Sequence, residues 1–466
     1  MQRFLFIVVF LCAGCGSKQR ENHSQTPIGS QSVEMSGPSG EKGMGGGAPM
    51  SRGESAMKAG EAGKQAKKAG VPKPVAKPLA LADLPPRELQ KLVSGLNQAA
   101  FALYSKLATK HENFHFSPFS VLTGMATVIT GARGKTATES LKALHIKDMK
   151  TLRRGFNTIL RGFQSPAGAL ELATRVYAAK GAAVNPVFMQ GVKRAFDADF
   201  VSMDFAKAVA LSSHANAWVS KATRGRISSI IAPKDILRDE SLLVISSIFF
   251  AAPWRYQFSP RKTSVEPFVI PGKKKKTMNV HMMYLFAPFV SRHRGAVKTL
   301  VMEYLKGEYS MILMVSDGDV ASLAKKVNNP GALAKILAGC KRQRVKVFLP
   351  RFSISGEYDI SWPVEQLGFG WLFSPNGDLS GISAGRTYVS KVKHSAMIKV
   401  DEKGTVPAAV TAIFALKNGN PAYPKIHFNK PFVYIVRDNR TGAILFMGQV
   451  VRPTPAAGKP APRMRH

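Results

Sequence analysis

The chain has 466 residues, 45% of them hydrophobic, enough apolar material for a large core, and a formal net charge of +37. Such a field favours polyanions or an anionic envelope surface. With three cysteines, Cys12, Cys15 and Cys340, of which the first two fall in the leader, neither an internal disulfide framework nor a Cys/His metal cluster is possible.

The leader reads MQRFLFIVVFLCAGC: one Arg, a short apolar run from Phe4 to Leu11, then small residues. The run is too short to span a bilayer and fits a secretory signal. Its end, LCAGC, resembles a bacterial lipobox with Leu one place early, so cleavage would leave Cys15 as a lipidated N-terminus, and Gly16 in place of Asp permits passage to the outer membrane. The protein is therefore expected in the cell envelope as a lipoprotein, or secreted, and export argues against nucleic acid as a partner. Up to about residue 85 the chain is rich in Gly, Ser, Ala, Lys and Pro and cannot offset its ordering entropy by burial. The organisation expected is a signal peptide over 1–14, a tether over 15–85, one folded domain over 86–453 and a basic tail over 454–466.

The domain opens with a helix, because Leu89, Leu92, Val93, Leu96, Ala100, Leu103 and Leu107 recur at three- and four-residue steps. HENFH, residues 111–115, matches the zinc-protease pattern H-E-x-x-H, which needs a helix to bring His111 and His115 to one face. Pro118 would stop that helix at once, and Phe114 and Phe116 alternate about His115 as in a strand. TATESLKAL predicts a helix capped by Thr136 and Glu139. SLLVISSIFF is a continuous apolar run that suits a strand buried on both faces. KKKK at 273–276 reads as a solvated loop; in KRQRVKVFLP, Arg342, Arg344 and Lys346 alternate with Gln343, Val345 and Val347, giving a strand with one wet face. GISAG, residues 381–385, matches the nucleophile elbow of serine hydrolases, yet turn residues precede Ser383 and strand formers follow it, the reverse of what an elbow needs. PFVYIV and AILFMGQVV flank RDNRTG as a hairpin.

Residues 394–418, HSAMIKVDEKGTVPAAVTAIFALKN, carry the argument. A strand up to Val400 gives way to the polar DEKGT, and then to about a dozen small or apolar residues that are too greasy for a loop and too Ala-rich for an ordinary strand. Such a segment can begin exposed and later enter a sheet. This stretch resembles the hinge and reactive-centre loop of serpins, and NFHFSPFSVLTGMATVITGARGKTATESLKAL, NAWVSKATRGRI, DLSGIS and NKPFVYIVRDNRTGAILFMGQVVRPT resemble that family in the same order, from about 90 to 453.

The resemblance implies an α+β fold, a helix bundle packed on three β-sheets with an exposed reactive-centre loop, and a monomeric suicide inhibitor of serine proteases, or of cysteine proteases, rather than an enzyme. No cofactor and no metal are expected. It implies a hinge at Glu402, Gly404, Thr405, Pro407, Ala408, Ala409 and Thr411, where Gly404 supplies backbone freedom. Counted from Glu402, the scissile bond follows Asn418 in a loop of usual length or Lys417 in one a residue shorter; Lys417 suits a trypsin-like protease. Ser117, Ser120 and His394 fall where the family keeps a polar cluster under the opening sheet, and Trp254 falls near the start of insertion. Ser246 replaces the family's Asn, a departure expected to disturb that cluster. Pro407 lies where inhibitors prefer Ala and would slow insertion, which leaves a second expectation: a non-inhibitory serpin or a protease substrate that holds a polyanion, such as a glycosaminoglycan, or the envelope surface.

Overall fold

The computed structural model describes residues 81, 83–108, 112–163, 170–272, 276–405 and 422–456. Its first helix, Pro86–Leu107, buries the face that the apolar spacing marks: Leu92, Val93, Leu96, Ala100 and Leu103. A second helix, Pro118–Ile129, has every residue buried. It begins where Ser117, in extended backbone, caps it by accepting from the Ser120 amide at 3.1 Å, and Pro118 takes the first position, where no amide donor is needed.

That buried helix lies against a five-stranded sheet in the order Phe352–Asp359, Val389–Val400, Leu242–Phe250, Leu170–Ala179, Asp199–Met203. Gly124 permits the close approach, since a β-carbon there would stand 3.0 Å from a Val244 methyl. As the continuous apolar run requires, all nine residues of Leu242–Phe250 are buried. Within this sheet, Phe352–Asp359 pairs antiparallel to Val389–Val400, and Val389–Val400 pairs parallel to Leu242–Phe250.

A nine-stranded sheet holds the rest of the long strands, among them the hairpin Phe432–Asp438 and Ile444–Val450 and the amphipathic Lys341–Pro350. Gly404–Thr405 forms a separate two-strand pair with Ala252–Pro253. Among the described residues no helix is long and apolar enough to cross a membrane.

Three expectations change in detail. The helix predicted from Thr136 starts earlier, at Gly134, with Arg133 at its cap; Thr136 lies inside it and its hydroxyl accepts from the Asp378 amide at 2.9 Å, so the cap pair with Glu139 does not form. The folded body extends past both expected edges. Leu84 is buried and its amide donates to Thr158 Oγ1 at 3.0 Å, while Ala456 donates to the Asn279 carbonyl. Composition marks both flanks as polar tethers and cannot single out one leucine that finds a pocket.

Candidate functional site

The two central strands Leu242–Phe250 and Val389–Val400 define a closed end and an open end. Their parallel register runs from Val389↔Leu242 to Ala396↔Ile248 and stops there. At the closed end Ser241 donates from its amide to Ser390 Oγ at 2.7 Å, and the Leu242 amide donates to the Tyr388 carbonyl at 3.0 Å. Lys391, on the same end, pairs with the buried Glu240 at 3.0 Å. At the open end Val389–Val400 continues to Val400, turns through 401–403 and reverses, so that Gly404–Thr405 runs antiparallel to Ala252–Pro253.

The turn is held from several sides. Lys403 donates its amide to Asp401 Oδ1 at 3.0 Å, and the Asp401 amide donates to the Gly404 carbonyl at 3.1 Å. Gly404 has φ +153, and a β-carbon there would stand 2.3 Å from the Ala252 carbonyl oxygen, so this position requires glycine. Trp254, 1% exposed, stacks on Tyr304 with centroids 4.5 Å apart; its indole donates to the Asp401 carbonyl at 3.1 Å and its amide to the Lys403 carbonyl at 2.9 Å. Thr405 is buried, and its hydroxyl bonds the Tyr304 hydroxyl at 2.8 Å.

Glu402 is the electrostatic anchor. Its carboxylate accepts from Arg351 Nε at 2.9 Å and from Thr263 Oγ1 at 2.6 Å. Burial works to raise its pKa, but the hydrogen bonds from Arg351 and Thr263 outweigh it and hold the group below the ordinary carboxylate range.

Beneath the strand pair the expected polar cluster is assembled. The Ser117 amide donates to His394 Nε2 at 3.0 Å, which puts the ring proton on Nδ1; that proton points to Ser246, whose Oγ and carbonyl lie at 3.1 and 3.2 Å. Ser246 therefore belongs to the cluster and does not disturb it: the shorter side chain still reaches the ring. Burial pushes His394 down to about 3, so the ring is neutral. Ser120 joins through its amide.

HENFH is not a helix. Phe114–Phe116 is a strand paired with Ile444–Val450, and the His115 ring is buried between Tyr434 and Phe446. His111 lies outside the described residues, and Glu112 is exposed. Ser383 is buried in a turn, its hydroxyl accepting from the Gly385 amide at 3.2 Å, with no strand leading into it. Pro407, Ala408, Ala409, Thr411, Lys417, Asn418 and Cys15 lie outside the described residues.

Arg351, Thr263, Tyr304 and Lys391 escaped the sequence reading. Each meets its partner across a long stretch of chain, and no local periodicity ties Arg351 to a glutamate fifty-one residues later.

A family model described as Serpin (serine protease inhibitor) matches residues 94–453. The chain is 31% identical over 385 residues to the leukocyte elastase inhibitor of Bos taurus, covering 78% of this chain and all of that one. It is 29% identical to the neuroserpin of Gallus gallus, covering 75% of this chain and 89% of that one. Among solved structures, human thyroxine-binding globulin complexed with thyroxine superimposes with a TM-score of 0.71 at 26% identity, covering 79% of this chain and 100% of that one.

Proposed function

The chain belongs to the serpin family of serine protease inhibitors, and we propose that it traps a trypsin-like protease outside the cytoplasm by loop cleavage and insertion. The target's serine attacks the carbonyl of Lys417, the bond to Asn418 breaks, and the new amine leaves with a proton. The freed arm, still attached at Thr405, enters between Leu242–Phe250 and Val389–Val400 and carries the acylated protease with it.

One observation supports this reading above the others: the hinge reverses direction at the end where the central parallel pair parts. A strand continuing from Thr405 would run antiparallel to both neighbours, replacing one parallel pairing by two antiparallel ones, which are somewhat more stable per residue. Such a strand makes about 10–20 new backbone bonds at about 1 kcal/mol net each. Pro407 removes one donor, at about 1–3 kcal/mol, so insertion stays downhill. The inhibitor names of relatives such as the leukocyte elastase inhibitor of Bos taurus agree with it. In this reading Cys15 carries lipid and holds the domain at the envelope, as a monomer.

The test is incubation with trypsin, followed by denaturing electrophoresis and by thermal unfolding of the nicked chain. The expected results are an SDS-stable complex and a melting temperature well above that of the intact chain. A nicked chain that melts no later than the intact one overturns insertion.

Pro407 favours a second reading, in which cleavage outruns insertion and the basic domain is a binding module for a polyanion. Cleaved product without complex across a protease panel, with retention on immobilised heparin at high salt, would support it.

A further inference from the structure

We propose that the sheet face beside the return strand of the loop is a docking surface for an acidic patch on the target protease, which adds to loop sequence a second source of selectivity. This inference rests on the inhibitor reading above.

The face is built by three neighbouring strands of the nine-stranded sheet. Lys341–Pro350 pairs antiparallel to Lys276–Arg292 on one side and parallel to Lys425–His427 on the other. Outward positions alternate with buried Val345 and Val347, so Arg342, Arg344 and Lys346 share one face, with Arg342 and Arg344 exposed. Lys425, also exposed, stands in register with Lys346. Two cations side by side on paired strands are unfavourable in the free protein. Among the described residues none of these four forms an ion pair, and Glu266 at the border is engaged by His427 at 3.1 Å. Glu266 also acts on Lys425 through space, so the excess of positive charge lies mainly at Arg342, Arg344 and Lys346, and an anionic partner would relieve it.

Aromatic rings lie between the cations. Lys425 Nζ sits 4.3 Å from the centre of the Phe348 ring, Arg344 lies 5.8 Å from Phe286, and Tyr423 packs against Phe286 at 4.6 Å. Phe286 and Tyr423 are half-buried and Phe348 is buried beneath Lys425; aromatic rings beside arginine are common in protein–protein contacts, where both carry much of the binding energy.

Chain connectivity brings the partner to this face. Lys425 follows Lys417 by eight residues, a span of at most about 28 Å when fully extended. A protease domain with a radius of gyration of about 17 Å, holding Lys417 in its active site, cannot sit far from Lys425. Opposite charge across such a contact acts mainly on the association rate and fades with salt.

The experiment compares anionic and cationic trypsin, two enzymes of one cleavage specificity and opposite surface charge, on the full chain and on the variant Arg342→Glu/Arg344→Glu. The expected result is that anionic trypsin attacks the loop roughly ten-fold or more faster at low salt, that the variant loses or inverts this preference, and that high salt flattens it. Both substitutions are at exposed positions, and an unchanged melting temperature certifies the variant's fold. Equal rates for the two trypsins, on both chains, overturn the proposal. The rate of loop cutting reads the face whether or not a covalent complex survives. Cleavage without complex therefore sinks the inhibitor reading and leaves the docking result standing. If neither trypsin cuts, equal binding of the two active-site-blocked enzymes overturns the docking face. Binding of heparin that depends on Arg342 and Arg344, with no discrimination between trypsins, makes the occupant a polysaccharide and also overturns it.

Discussion

Glu402 shows how a single carboxylate can set the tension of a hinge. Its side chain is 6% exposed against 37% for Arg351, so the pair is only partly screened. Glu402→Gln should lower stability by about 1–2 kcal/mol, after discounting for the half-exposed arginine, and speed opening at Thr405, read by amide exchange. The sign with pH follows from the lowered pKa: the contribution is present at neutral pH and is lost as pH falls below the ordinary carboxylate range, so the Gln variant should lack that limb of the curve. His394 and His115 act in a neighbouring window. Burial, the larger cause for each, pushes both to about 3 in the folded chain, so the unfolded state takes up protons first and stability should fall progressively from about pH 6.5 downward. His394→Gln, whose carbonyl can still accept from the Ser117 amide, should flatten that fall in denaturant titrations against pH.

At the scale of elements, the central strand pair couples two ends. The closed end is fixed by the Ser241 amide on the Ser390 hydroxyl, by the Leu242 amide on the Tyr388 carbonyl and by Lys391–Glu240; the open end is wedged by Trp254 and Thr405. In the proposed insertion an entering strand would meet the open end first and the closed end last, and its rate would decide between trapping and release. Each ~1.4 kcal/mol on that barrier is a tenfold change in rate. Pro407→Ala restores one donor and should raise the fraction of protease held as complex relative to cleaved product, measured by electrophoresis at fixed stoichiometry. An unchanged partition would mean that the proline does not lie on the limiting step. Sequence periodicity found several of the long elements, because Leu242–Phe250 is apolar throughout and Lys341–Pro350 alternates cleanly. It misplaced the start of the helix at Gly134, where the backbone enters through a residue with no capping side chain and Thr136 is used by a distant amide.

For the molecule as a whole, the boundaries of the folded body matter to its handling. Leu84 is 4% exposed and Asp83 meets Arg161 at 3.0 Å. A chain that starts at Arg87 should lose the burial of one leucine, about 1.5–3 kcal/mol, and melt about 2–4 °C below one that starts at Ala80; the ion pair, exposed, adds little. The net charge of +37 is distributed unevenly enough that Arg342, Arg344, Lys346 and Lys425 stand together with Glu266 as the carboxylate at their border, and in the proposed docking this asymmetry selects the partner that approaches the loop.

The amino-acid sequence by itself determined the polar composition of the flanks, the hinge glycine and the order of motifs, because those signals are local: composition, turn chemistry and side-chain period act within a few residues. It also excluded the zinc helix at HENFH, since Pro118 and the alternating phenylalanines are read on the spot. The tertiary structure alone decided which partners close the site. Arg351 on Glu402, Tyr304 on Thr405, Ser246 on His394 and Lys425 beside Lys346 are contacts between segments far apart in the chain. Their geometry exists only once the sheets have folded, because burial and hydrogen-bond direction depend on packing that no single segment encodes.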